Sequence, residues 1–246
     1  MRTLTRLLLT GSLLFVPATA LFAQAAVDPS GHWTGAIHVP PFNGAGSREV
    51  AIDIDLTKNA SGGLDGTFGQ PGQNVKGLPL AKVALDGRTV SFELKATTGG
   101  GLFRASLADA ASMSGEFVTT EGGYTIPFDL KRTGDAQIAP TPRSAAIGRE
   151  LEGTWNGTID VNGKQERLVL KMANRGDGTA TGTILDLDGS AVEIPIAMTL
   201  KASTFTLEVP AVGASYVAQL TAGNELVGTW TQGPVNLPLT FTRGTK

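Results

Sequence analysis

The chain has 246 residues, no cysteine, and a formal net charge of −2 from 20 basic and 22 acidic residues that are interspersed along it. A chain without thiols has no disulfide framework, no thiolate metal site and no thiol to carry a lipid. Without a basic stripe to neutralise phosphates, nucleic acid is not an expected partner. The 32 glycines against 6% aromatics, with many Thr and Val residues, point to numerous short strands joined by tight turns in a chain of two ordinary domains.

Taken from its start, the chain opens with Arg2 and Arg6 and a short apolar run from Leu7 to Val16. Thr10, Gly11 and Ser12 interrupt that run and Pro17 follows it, so it falls short of the roughly 18 apolar residues a spanning helix needs. It reads as an export signal, with cleavage expected after Ala23-Gln24-Ala25. The expected organisation is a signal peptide at 1–25, a first β-barrel-like domain at 26–133, a linker at 134–150 and a second such domain at 151–246. The mature protein is expected to have no stable membrane anchor and, in a Gram-negative host, to be periplasmic or secreted.

The domain limits come from an internal duplication. Gly31-His32-Trp33-Thr34-Gly35 recurs as Gly153-Thr154-Trp155-Asn156-Gly157. In the same order, Asp65-Gly66-Thr67 answers to Thr181-Gly182-Thr183, and Leu78-Pro79-Leu80 to Ile194-Pro195-Ile196. Phe92-Glu93-Leu94 matches Leu207-Glu208-Val209, and Phe103 to Leu107 matches Tyr216 to Leu220. Ser114 to Phe117 pairs with Val227 to Trp230, and Ile126 to Arg132 with Leu237 to Arg243. A period of about 115 residues is too long for a solenoid repeat and suits two complete domains. Between them Gly134 to Pro142 has linker composition, and Arg143 to Glu150 is expected to add a helical turn.

Within each copy the side chains alternate. Val50, Ile52, Ile54 and Leu56 share one face, with Ala51, Asp53, Asp55 and Thr57 on the other, which is the pattern of a half-buried strand. The same parity turns Val90, Phe92 and Leu94 inward, then Phe103, Ala105 and Leu107, then Ile126, Phe128 and Leu130. In copy two it turns in Leu168, Leu170 and Met172, then Phe205, Leu207 and Val209, then Tyr216, Ala218 and Leu220, then Leu237, Leu239 and Phe241. Ser61-Gly62-Gly63, Asp86-Gly87, Asn162-Gly163, Asp177-Gly178 and Asp188-Gly189 mark the hairpins between these runs. The expected fold is therefore all-β: two tandem antiparallel up-and-down barrels of about eight strands each. Closure removes the sticky sheet edges, and an open sandwich is the alternative.

Trp33 opens the first strand of copy one and Arg132 closes its last, both with inward parity, and Trp155 and Arg243 repeat the arrangement. In a closed meander those strands are neighbours, so each guanidinium is expected to lie across an indole and plug the barrel floor. This Gly-x-Trp start with a terminal Arg resembles small barrels of the lipocalin and avidin style. The string Leu151 to Gly157 and the tail Gly228 to Gly233 through Leu237-Pro238-Leu239-Thr240 resemble the non-catalytic N-terminal domain of secreted bacterial α/β hydrolases. That resemblance implies an accessory or binding domain duplicated without its enzyme, and it carries over no catalytic residue.

The residue inventory agrees with a non-enzymatic reading. No Gly-x-Ser-x-Gly elbow and no Ser-x-x-Lys occurs. The only histidines, His32 and His38, lie in copy one on the face opposite Trp33 and Ile37 and read as solvated surface residues. Asp186, Asp188 and Glu193 around Gly189 fall short of a calcium loop and read as a polar hairpin. Arg175-Gly176-Asp177 reads as a turn, and Gly99-Gly100-Gly101 and Gly122-Gly123 as loop tips, since neither run opens a helix. No cofactor or metal is expected. Phe92, Phe103, Phe117, Phe205, Tyr216 and Trp230, with the two Trp/Arg pairs, line either a ligand chamber or a packed core. The expected partner is a small apolar ligand in a barrel mouth or a protein on the outer surface, with a secreted hydrolase as the alternative. Pro40-Pro41-Phe42-Asn43-Gly44-Ala45-Gly46, standing where copy two has Asn162-Gly163, suggests divergent roles for the copies.

Overall fold

The structure, a computed structural model, describes residues 27–41, 45–95, 100–188, 192–222 and 224–244. The expected signal peptide, Phe42 to Gly44, Gly99 and Gly189 lie outside the described residues.

Nine strands follow one another through the first copy: β1 (Gly31–Val39), β2 (Arg48–Lys58), β3 (Leu64–Gln70), β4 (Val75–Pro79), β5 (Ala81–Asp86), β6 (Thr89–Leu94), β7 (Gly101–Leu107), β8 (Ser112–Thr119) and β9 (Thr125–Gly134). They pair in the order β4-β3-β2-β1-β9-β8-β7-β6-β5, every pairing antiparallel, so the last strand lies against the first. The second copy holds β11 (Gly153–Val161), β12 (Lys164–Asn174), β13 (Thr179–Asp186), β14 (Ile194–Lys201), β15 (Thr204–Val209), β16 (Ala214–Leu220), β17 (Glu225–Gln232) and β18 (Val235–Arg243). These run β13-β12-β11-β18-β17-β16-β15-β14, and a further β13–β14 pairing closes the ring. The fold is thus all-β, with two antiparallel up-and-down barrels, the second closed and the first nearly so.

Alternation is what closes them. Val90, Phe92 and Leu94 of β6 and Phe103, Ala105 and Leu107 of β7 are buried while their neighbours reach solvent, as period-two patterning demands of a sheet with one dry face. The Asn162-Gly163 turn between β11 and β12 has φ of 55° and 84°, the mirror-image turn whose twist matches flanking strands. Trp33, Ile54, Phe92, Phe103 and Phe128 anchor one core, and Trp155, Leu170, Phe205, Tyr216 and Phe241 the other. Ala211, in the short turn Pro210–Val212 between β15 and β16, packs with the first core rather than the second.

The copies differ where β4 passes into β5. Lys82 takes φ of 50° and the register slips between Ala81 and Ala84, a one-residue bulge where β14 runs unbroken. The segment between the barrels also departs from expectation. Arg143 to Glu150 starts extended, since Ser144–Ala145 form a two-residue strand, β10, paired to Ala180 and Thr179 of β13, and the turn comes only at its end, where the Leu151 N–H reaches the Gly148 carbonyl and the Glu152 N–H the Arg149 carbonyl. Ser144 Oγ accepts the Met198 N–H at 2.7 Å, which ties this short strand to β14 as well as to β13.

Candidate functional site

Each barrel interior is filled by its own side chains. Phe103 lies at the centre of the first, stacked on Phe117 at 4.3 Å between centroids and on Phe92 at 4.9 Å, with Phe128 edge-on at 5.2 Å. Tyr216 holds the matching place in the second barrel, 5.4 Å edge-to-face from Phe241, and Phe205 is fully buried beside it. The Tyr216 hydroxyl donates to the Leu226 and Leu239 carbonyls at 2.7 and 3.0 Å, and burial pushes its phenol well above the ordinary range. Its polar tip is therefore consumed by the barrel wall. Trp230 is half-buried at the edge of that core.

At the seams, Trp33 is the register partner of Arg132, and Trp155 of Arg243. The Arg243 guanidinium carbon lies 5.5 Å from the Trp155 ring centroid, while its terminal nitrogens donate to the Glu150 and Glu152 carbonyls. In the first barrel Arg132 runs instead along Gly31, where a Cβ would meet its Nε at 2.4 Å. Gly31, at φ of 150°, holds a backbone conformation that other side chains rarely adopt, and the arginine passes over the space a Cβ would fill. Sequence reading missed one shared device. Each buried indole donates Nε1–H to the carbonyl four residues back, Trp33 to Pro29 at 2.8 Å and Trp155 to Leu151 at 2.9 Å. The acceptors are backbone carbonyls of unlike residues, Pro29 and Leu151, so no residue type marks them in the sequence.

The histidines are not simply solvated. His32 Nδ1 lies 2.8 Å from Asp55 Oδ1, with only 17% and 12% of the two side chains exposed. Asp55 also accepts the Gln137 N–H at 2.7 Å, so the expected outward carboxylate is buried beneath the segment that leaves β9. Parity had put His32 and Asp55 on the outer face correctly, but the covering strap comes from 82 residues away in the chain. His38 bridges Asp129 at 2.5 Å and Glu49 at 3.5 Å through different ring nitrogens, tying β1 to β9 and β2. The two carboxylates stand on opposite sides of the ring and do not converge on a point where an ion could sit. Among the described residues no group of three or more His, Cys, Asp or Glu side chains could hold a metal.

The other acidic residues are structural. Asp188 receives the Arg167 guanidinium at 2.6 Å and the Arg167 N–H at 2.7 Å, which together hold its carboxyl at about 2. Glu193 is held low by Lys171 and by the Thr183 hydroxyl at 3.0 Å. Asp177 caps its own turn through Thr179, as the Arg175-Gly176-Asp177 sequence implied. Asp28, just before β1, is held at about 2 by Lys58 at 2.7 Å and by the Ser30 N–H.

These depressed values give a pH dependence. A free aspartate titrates near ~3.9, so the unfolded chain takes up protons first as pH falls. The stabilisation is complete above that value and is lost as pH drops toward 2. The thermal midpoint, measured from pH 5 to pH 2, should fall across that window, and a Lys58→Met/Arg167→Met double variant should show a shallower fall. Equal slopes in the two proteins would contradict the assignment.

An open hollow of about 630 Å3 lies on the outside of the second barrel, over β12, β11 and β18. Asn156, Thr158, Val169, Thr240 and Thr242 face it, with Arg167 and Leu187 at its rim. Register maps these onto the first copy: Val169 stands where Asp53 does, Thr240 where Asp129 does and Thr242 where Lys131 does. Three charged positions in one copy are uncharged in the other, and Val169 is only 9% exposed although it points away from the core. A smaller hollow of about 270 Å3 lies beside His38, Pro40 and Glu49 at the end of the first hairpin.

No protein-family model matches the chain, and no curated protein matches it. Among solved structures, a candidate outer membrane protein of Bacteroides fragilis is similar over 87% of this chain and 95% of its own, at 11% identity and a TM-score of 0.29. A protein of unknown function from Nostoc punctiforme is similar over 87% and 96%, at 13% identity and a TM-score of 0.25. No helix among the described residues is long and apolar enough to cross a membrane.

Proposed function

We propose that this is an exported, non-enzymatic binding protein that acts by protein contact on the outer wall of its second barrel. The observation that carries the reading is the packing of both interiors. A carrier needs a chamber of a few hundred Å3 lined by apolar groups, and here the Phe103 and Tyr216 clusters occupy that space. The hollow over Val169 and Thr240 is instead open and free of unpaired charge, since Arg167 is engaged by Asp188. Such a surface sheds its water at lower cost than the charged wall of the first copy. The resemblance of Leu151 to Gly157 to hydrolase-attached domains supports a secreted hydrolase as the partner.

Two measurements test this. The mature protein, immobilised and exposed to periplasmic extract, should retain a hydrolase, and Val169→Asp/Thr240→Asp should reduce the yield at least tenfold with the melting temperature nearly unchanged. Titration with a fatty acid or a hydrophobic dye should show no saturable site. Stoichiometric uptake of the apolar probe, or the absence of any hydrolase among retained proteins, would overturn the proposal.

A further inference from the structure

We infer that the two barrels form one rigid, cooperative body, joined where the turn Pro210–Val212 of the second is seated against β4 of the first. The first copy is then the mount and the second the part that carries the contact wall. That the wall makes contact rests on the function proposed above; the joint does not.

The turn follows β15, yet its central residue belongs to the other barrel. Ala211 is 7% exposed and packs with the core of Trp33 and Phe103, and the turn as a whole lies against β4. Val212 and Ile194 are half-buried and pack against both cores at once. Beside them two turn ends meet. Asn74, which closes the short turn Pro71–Gln73 of the first barrel, and Gly213, which closes Pro210–Val212, take left-handed φ of 55° and 60°. A Cβ on Gly213 would fall 2.5 Å from Asn74 Nδ2, so glycine lets the two turns approach this closely.

The connection between the barrels is a second, independent restraint. The Gln137 N–H donates to Asp55 Oδ1 of the first barrel at 2.7 Å. At the other end Ser144 and Ala145 are paired to β13, and the Ile147 N–H donates to Asn174 Oδ1 at 2.9 Å while Asn174 Nδ2 donates back to the Ile147 carbonyl at 2.8 Å. The span left between these anchors runs from Ile138 to Arg143, and Pro140 and Pro142 stiffen it by fixing φ. A short, stiff span cannot swing the barrels apart, and parting them would return Ala211, Val212 and Ile194 to water.

The joint also fixes which side of the second barrel is free. The turn leaves β15 and packs on β14, and in the ring order those strands lie across from β11 and β18, which line the hollow of Asn156 and Thr240. The hollow is thereby held on the side away from the joint. A wall presented by a rigid pair loses less orientational freedom on binding than one on a barrel that swings.

Two measurements test the joint. Ala211→Asp puts a carboxylate into the apolar contact, and the amides of Ile54 and Phe68 in the first barrel should then exchange roughly tenfold faster, although the substitution lies in the second. Should that variant not fold, Ala211→Ser should shift the same amides the same way by a smaller factor. Unchanged exchange at Ile54 and Phe68, with acceleration confined to second-barrel amides such as Leu207, would overturn the inference. Because the chain has no cysteine, spin labels at Arg104→Cys and Gln219→Cys report the separation of the barrels without background. One narrow distance distribution is expected, and a short Gly/Ser insert after Ala139 should leave it unaltered. A broad distribution, or one that broadens with the insert, would sink the joint whatever the protein captures; a narrow one alongside failed hydrolase capture keeps the joint and removes the wall's proposed role.

Discussion

Phe103→Ala should lower the unfolding free energy by about 3–5 kcal/mol, the usual cost of deleting a fully buried aromatic ring. The ring touches four others from four directions: Phe92, Phe117, Phe128 and Phe68 at 6.3 Å. Removing it leaves a cavity walled by β6, β7, β8 and β9, strands held to one another by continuous ladders that resist collapse inward. The cost should therefore fall toward the upper end of the range, read as a shift of the denaturant midpoint at constant m-value. Phe103→Leu, which refills most of the space, should recover more than half of it. If Phe103→Ala costs under about 1 kcal/mol, the interior is looser than described, and the case against a ligand chamber fails with it.

At the barrel seam the indole should matter far more than the arginine. Trp155 is fully buried, and its N–H is consumed by the Leu151 carbonyl. Trp155→Ala should cost about 3–5 kcal/mol. Arg243 is exposed, so its contact with the ring contributes about 0.5–1 kcal/mol, to which its bonds to the Glu150 and Glu152 carbonyls add a similar amount. Arg243→Ala should thus cost roughly one third of Trp155→Ala, and Arg243→Lys nearly as much as Arg243→Ala, because an ammonium cannot serve two carbonyls while lying flat on the ring. Equal costs for Trp155→Ala and Arg243→Ala, by urea denaturation, would contradict this division of roles.

The same two regions show how far the sequence could be read. Alternation along Val50 to Leu56 and Phe103 to Leu107 determined which side chains face the core, because a strand has a period of two and one dry face admits only one register. Repetition of Gly-x-Trp and of the terminal arginine determined that the architecture occurs twice. Neighbouring positions in a meander are close in sequence, so local pattern is enough to place them.

What local pattern could not supply was volume, cover and closure. Parity turns Phe92, Phe103 and Phe117 inward but does not say whether rings from separate strands meet or stand around a void, since that depends on barrel radius and on every other inward side chain at once. His32 and Asp55 have outward parity, yet His32 is half-buried and Asp55 is buried, with a distant segment bonded to Asp55 through Gln137. The bulge at Lys82 and the strand at Ser144–Ala145 arise where one ring must be bent, or another filled, to meet itself. Those are conditions on the whole circumference of each barrel, and no single strand carries them; only the folded chain, with every strand in its place, decides them.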